Sequence, residues 1–123
     1  EPQIWARAAI AAYRDFAADR LVAEVNQGGD LVETILRQID PALPIRLVRA
    51  TRGKWLRAEP VAALYAEGRV CHVGQHPELE MQMLTFGSDG RSLGNSPDRV
   101  DALVWALTDL ILDAPPRPVV RML

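Results

Sequence analysis

The sequence predicts an α/β domain, and three patterns carry that expectation. Apolar runs of strand length recur at 20–25 (RLVAEV), 45–50 (IRLVRA) and 69–73 (RVCHV). Segments with helical spacing of apolar residues separate and follow them. Glycine and proline punctuate the boundaries. Strands that alternate with helices imply parallel pairing in a sheet with helices packed against it.

Each element has its own warrant. Over 2–18, Trp5, Ala9, Ala12 and Phe16 recur at spacings of four, three and four, among many helix-favouring alanines. The strand at 20–25 follows. Gly28-Gly29-Asp30 then leads into a helix over 30–39 with Leu31, Ile35 and Ile39 on one face, and PALP stops it. The second strand, 45–50, places Ile45 and Leu47 on one face. TRGKWLRAE reads as a basic loop. Pro60 suits the first turn of a helix that runs to Glu67, with Gly68 as its C-terminal cap. The third strand, 69–73, precedes a short helix over 77–84 and a polar, Gly-rich loop over 87–95. Ser96 is placed to cap a long helix over 97–113 with Pro97 in its first turn. Val100, Leu103, Val104, Leu107 and Ile111 are its packing stripe. The tail, APPRPVVRML at 114–123, is Pro-rich and irregular.

Composition narrows the function classes. A chain of 123 residues can bury a genuine core as one domain over 1–113. The formal net charge is −2, so affinity for nucleic acid has to come from a local basic patch. Cys71 is the single cysteine, which excludes an internal disulfide framework and fits a reducing compartment. No apolar run approaches the roughly 20 residues that span a bilayer, and the acid-containing first segment lacks a signal-peptide pattern. The chain starts on a helical pattern without an initiator Met, and is expected to be part of a longer protein.

Three features bear on chemistry. Glu24 stands among Leu21, Val22, Ala23 and Val25, where an uncompensated charge is costly. It lies at the carboxyl end of the first strand, where sites gather in α/β sheets. A neighbouring Arg or backbone amides would explain it equally. In SPDRVDALVWALTDL, Asp98 and Asp101 are three residues apart and share a helix face. Acids in a first turn also simply complement the helix dipole. Arg46, Arg49, Arg52, Lys54 and Arg57, with Trp55 among them, put five cations into twelve residues around a glycine. Such a cluster can contact phosphates, or merely be a solvated loop. His72 and Cys71 alternate along a strand and cannot chelate together. Gly28-Gly29 is too sparse for a nucleotide-binding loop.

In order along the chain, ADRLVAEVNQGGD, RATRGKWLRAEPVAALYAEGRVCHVG, PELEMQM and SPDRVDALVWALTDL resemble the C-terminal nuclease domain of the large terminase subunit of tailed bacteriophages. The similarity is greatest to the version found in prophages and gene transfer agents, and it covers residues 1–112. The resemblance implies an RNase H-like fold and a metal-dependent endonuclease that cuts concatemeric double-stranded DNA in the bacterial cytoplasm. It implies an ATPase domain ahead of the nuclease, with the small terminase subunit and the portal as partners. It also implies a carboxylate cluster for Mg²⁺ or Mn²⁺, in which Glu24 is the second acid. Asp101 or Asp98 is the third, with Asp101 favoured as the direct ligand. Arg49, Arg52, Lys54 and Arg57 are the expected DNA contacts. Glu24, Asp98 and Asp101 are expected to converge. The family's first strand, its acid and a hairpin belong upstream of residue 2. The acids before Glu24 are Glu1, Asp15 and Asp19, none in a buried-strand context. The expectation is therefore a domain without its N-terminal strands, inactive alone and prone to self-associate through the edge of strand 20–25. Another RNase H-like nuclease of resolvase or transposase type, or a non-catalytic DNA-binding or assembly module, would share parts of this pattern.

Overall fold

A computed structural model describes residues 1–26 and 30–113. The diglycine at 28–29 and the Pro-rich tail at 114–123 lie outside the described residues. The chain divides into two compact units, Glu1–Thr51 and Arg52–Leu123.

The first unit contains α1 (Pro2–Asp15), β1 (Leu21–Glu24), α2 (Asp30–Ile39) and β2 (Ile45–Val48). The strands pair in parallel, Leu21 opposite Ile45 and Glu24 opposite Val48, with α2 between them in sequence. Hydrogen bonds from Leu21 N–H to the Pro44 carbonyl and from Val25 N–H to the Val48 carbonyl, both 2.9 Å, frame the ladder. Ala6, Ile10, Ile35, Leu36 and Leu43 form the core, with Tyr13, Leu21, Val32, Ile39 and Ile45 packed against it. The buried stripe of α1 is thus Ala6–Ile10–Tyr13, one position removed from the expected Trp5–Ala9–Ala12–Phe16. Trp5 is 42% exposed and Phe16 84%. Both stripes satisfy helical spacing. The small, fully buried Ala6 lets the backbones of α1 and α2 approach. The same shift occurs in α2, where Leu31 is exposed and Val32, Ile35, Leu36 and Ile39 face the core. Arg14 of α1 also pairs with Asp40 at the end of α2, 3.1 Å apart.

The second unit contains α3 (Lys54–Ala66), α4 (Pro77–Thr85) and α5 (Asp98–Leu107), the last continued by a π-helical segment, Thr108–Leu112. Val61, Val100 and Val104 are its buried centre, with Ala58, Tyr65, Leu79, Met83 and Leu107 around them. The stretch expected to be a basic loop is the first half of α3. Lys, Trp, Leu, Arg, Ala and Glu all tolerate a helix, and Gly53 is its N-cap. Pro60 therefore lies inside the helix rather than in its first turn. It removes the hydrogen bond to the Leu56 carbonyl, but both residues are on the exposed side, where water replaces the donor. Gly68, with φ of 70°, ends α3 as expected.

The third expected strand is absent from the described residues, whose sheet has two strands. Segment 69–73 is held by other bonds. Arg69 N–H closes on the Leu64 carbonyl at 3.0 Å. The His72 ring lies between the Tyr65 hydroxyl at 2.7 Å and Glu80 at 3.4 Å. The cap of α5 differs too. Ser96 makes no capping bond. The Gln82 side-chain oxygen of α4 accepts from Arg99 N–H at 3.0 Å and Val100 N–H at 3.3 Å, satisfying the helix start.

Candidate active site

Asp101 occupies the first turn of α5, one turn after Asp98. Its neighbours come from α3, which lies against α5 through the shared valine core. Arg57 Nη2 is 3.1 Å from Asp101 Oδ1, and Lys54 Nζ is 3.7 Å from Oδ2. Lys54 and Arg57 are three residues apart, so one face of α3 presents both cations. That spacing exists only because the helix begins at Lys54.

The two cations are held differently. Arg57 is 10% exposed, and its guanidinium lies over the Trp105 ring, 4.9 Å from the centroid. The stack and the ion pair fix its plane. Lys54 is 32% exposed and donates a 2.8 Å hydrogen bond to Ser96 Oγ. Ser96 in turn donates to Asp98 Oδ1 at 2.5 Å. Asp98, Ser96, Lys54, Asp101 and Arg57 therefore form one connected polar chain. It borders an open hollow of about 140 Å³ lined by Lys54, Phe86, Pro97, Val100, Asp101 and Val104. Trp55 leans on Phe86 at 5.3 Å and ties the loop after α4 to the start of α3.

Glu24 is the last residue of β1, half-buried, between the buried Ala23 and Val25. It belongs to the first unit, as does Arg49, which is exposed and donates to the Asn26 carbonyl at 3.4 Å. Arg52 is exposed at the start of the second unit. The basic run is thus divided between the units, and two of its members face a carboxylate.

The sequence reading passed over Asp109. This acid is 5% exposed within the π-helical segment, where Asp113 N–H reaches back five residues to the Thr108 carbonyl at 2.8 Å. An acid inside an apolar run flagged Glu24. The same signal, Thr108-Asp109-Leu110-Ile111, was available here.

The candidate ligands are all carboxylates, the donor type that suits a hard divalent cation. Among the described residues, no three His, Cys, Asp or Glu side chains within a unit are grouped so as to hold a metal ion. In the second unit the Asp101 carboxylate is instead neutralised by Arg57 and Lys54.

An α/β unit with an acid at the end of a strand, followed by a helical unit with acids at a helix start, defines the class as RNase H-like. The chain belongs to the family of terminase RNase H-like domains, which matches residues 1–110. No curated protein and no solved structure matches it.

Proposed function

We propose that this chain is the metal-dependent endonuclease domain of a phage DNA-packaging terminase, of the prophage or gene-transfer-agent type, and cuts concatemeric double-stranded DNA in the bacterial cytoplasm. Membership of the terminase RNase H-like family over residues 1–110 is the observation that carries this reading. Residues 1–113 make up the domain and 114–123 a tail. Glu24, Asp101 and Asp98 are the residues that would hold Mg²⁺ or Mn²⁺. When bound, such an ion supplies a hard Lewis acid for in-line displacement at a phosphodiester. Arg57, clamped on Trp105, sets the orientation of the Asp101 carboxylate. Arg49, Arg52 and Lys54 offset the charge of the phosphate backbone, which the carboxylates alone would repel. The ATPase domain, the small terminase subunit and the portal are the partners that go with this role.

The test is plasmid cleavage by the full-length protein carrying this domain, with Mg²⁺ or Mn²⁺, beside Glu24→Gln and Asp101→Asn. Both substitutions keep size while removing charge. Metal-dependent linearisation lost in each variant is expected. DNA binding with no cleavage under any metal would favour the assembly-module alternative.

A further inference from the structure

We propose that Lys54 is an exchangeable counter-ion on Asp101, and that a DNA phosphodiester, by drawing Lys54 away, opens this carboxylate to a divalent cation. The inference rests on the reading of Asp101 as a metal ligand. It follows from the asymmetry of the two cations on the carboxylate. Arg57 is nearly buried, stacked on Trp105 and 3.1 Å from Oδ1, so it stays. Lys54 is 3.7 Å from Oδ2, beyond hydrogen-bond reach, and spends its 2.8 Å bond on the Ser96 hydroxyl. It is about a third exposed and sits at the first residue of α3, on a flexible four-carbon stem. A hydroxyl and a carboxylate beyond bonding distance are partners that a phosphate oxygen can replace with a shorter, charge-assisted bond. Asp98, which accepts from Ser96, is released from the same chain of contacts. Metal and DNA binding are then reciprocally coupled, because one lysine cannot serve both anions. The site would take its metal only with duplex present, which keeps an acid-rich centre quiet until substrate arrives.

Paramagnetic broadening of backbone amides by Mn²⁺ reads this out without requiring activity. Amides at 98–104 are followed in the chain, with and without a short duplex. Free Mn²⁺ is held constant because DNA binds it as well. In the native chain, the duplex is expected to raise apparent Mn²⁺ affinity at these amides about fivefold or more. Lys54→Met should show comparable affinity without duplex and gain nothing further when it is added. Lys54→Gln serves as a second variant should the first perturb the fold. Arg69→Met removes one positive charge from the same unit, away from Asp101, and should behave as the native chain. Equal broadening in the native chain and both Lys54 variants without duplex would overturn the lysine's role while leaving the metal reading intact. The same change in Arg69→Met as in Lys54→Met would reduce it to net charge. No broadening near Asp101 in any sample would overturn the metal reading and the inference with it.

Discussion

Tyr65 shows how a single side chain carries structure that no motif announces. Its ring packs against the valine core, and its hydroxyl bonds to His72 Nε2 at 2.7 Å. With Glu80 accepting from Nδ1–H, His72 is the neutral tautomer that accepts from the phenol. Burial raises the Tyr65 pKa above its ordinary value of 10.0. The sign of the linkage follows directly. Above about pH 10 the unfolded chain loses this proton before the folded one does, so stability falls with rising pH. Below that range the contribution is fully present. Denaturant titrations at pH 9, 10 and 11 should show an alkaline loss of stability that Tyr65→Phe reduces. A Phe variant with the same alkaline slope would assign the loss to other groups.

At the scale of elements, helix ends decide where the chain turns. α1 and α3 end in the same bond pattern. Ala18 N–H reaches the Tyr13 carbonyl and Ala17 N–H that of Arg14, as Arg69 and Gly68 reach Leu64 and Tyr65. The pattern needs a left-handed residue just past the helix. Gly68 supplies it without strain, whereas Ala17 adopts φ of 47° with a Cβ in place. Ala17→Gly should stabilise the chain by a few tenths to about 1 kcal/mol, and Gly68→Ala should destabilise it by about 1 kcal/mol. Thermal melts of the two variants test both signs. The start of α5 depends on another helix. Gln82→Ala removes the oxygen that accepts from Arg99 and Val100. A loss of about 1 kcal/mol, similar to that of an N-cap side chain, is expected in denaturant unfolding. Ser96→Ala should cost the cap nothing.

For the whole molecule, the net charge of −2 means that DNA affinity depends on where the cations stand. Arg49 and Arg52 are exposed, while Arg57 is nearly buried on Asp101 and Trp105. Binding of a duplex of any sequence should weaken with salt. Arg49→Ala and Arg52→Ala should each lower the slope of log affinity against log salt by about 0.9. Arg57→Ala should change it less. Filter binding or fluorescence anisotropy between 50 and 200 mM salt measures this. Unchanged affinity after replacing Arg49, Arg52 and Lys54 together would leave these charges a role in solubility alone. Among the described residues, no helix is long and apolar enough to cross a membrane.

The sequence by itself determined the α/β class, the order of five helices and two strands, and the family. These depend on local period, on glycine and proline punctuation and on motif order, all of which are written along the chain. It did not determine which of two adjacent stripes faces the core. Trp5–Ala9–Ala12–Phe16 and Ala6–Ile10–Tyr13 are both helical, and only close packing of α1 on α2 chose the one containing Ala6. It did not show that RVCHV fails to be a strand, because pairing requires a neighbour that the local pattern cannot supply. The acids at 98 and 101 were legible as candidates. That Asp101 is held by Arg57 and Lys54 was not, since those cations belong to a run that reads as a loop. The tertiary structure decided it: folding 54–66 as a helix places both cations on one face, and the buried valines press that helix against α5.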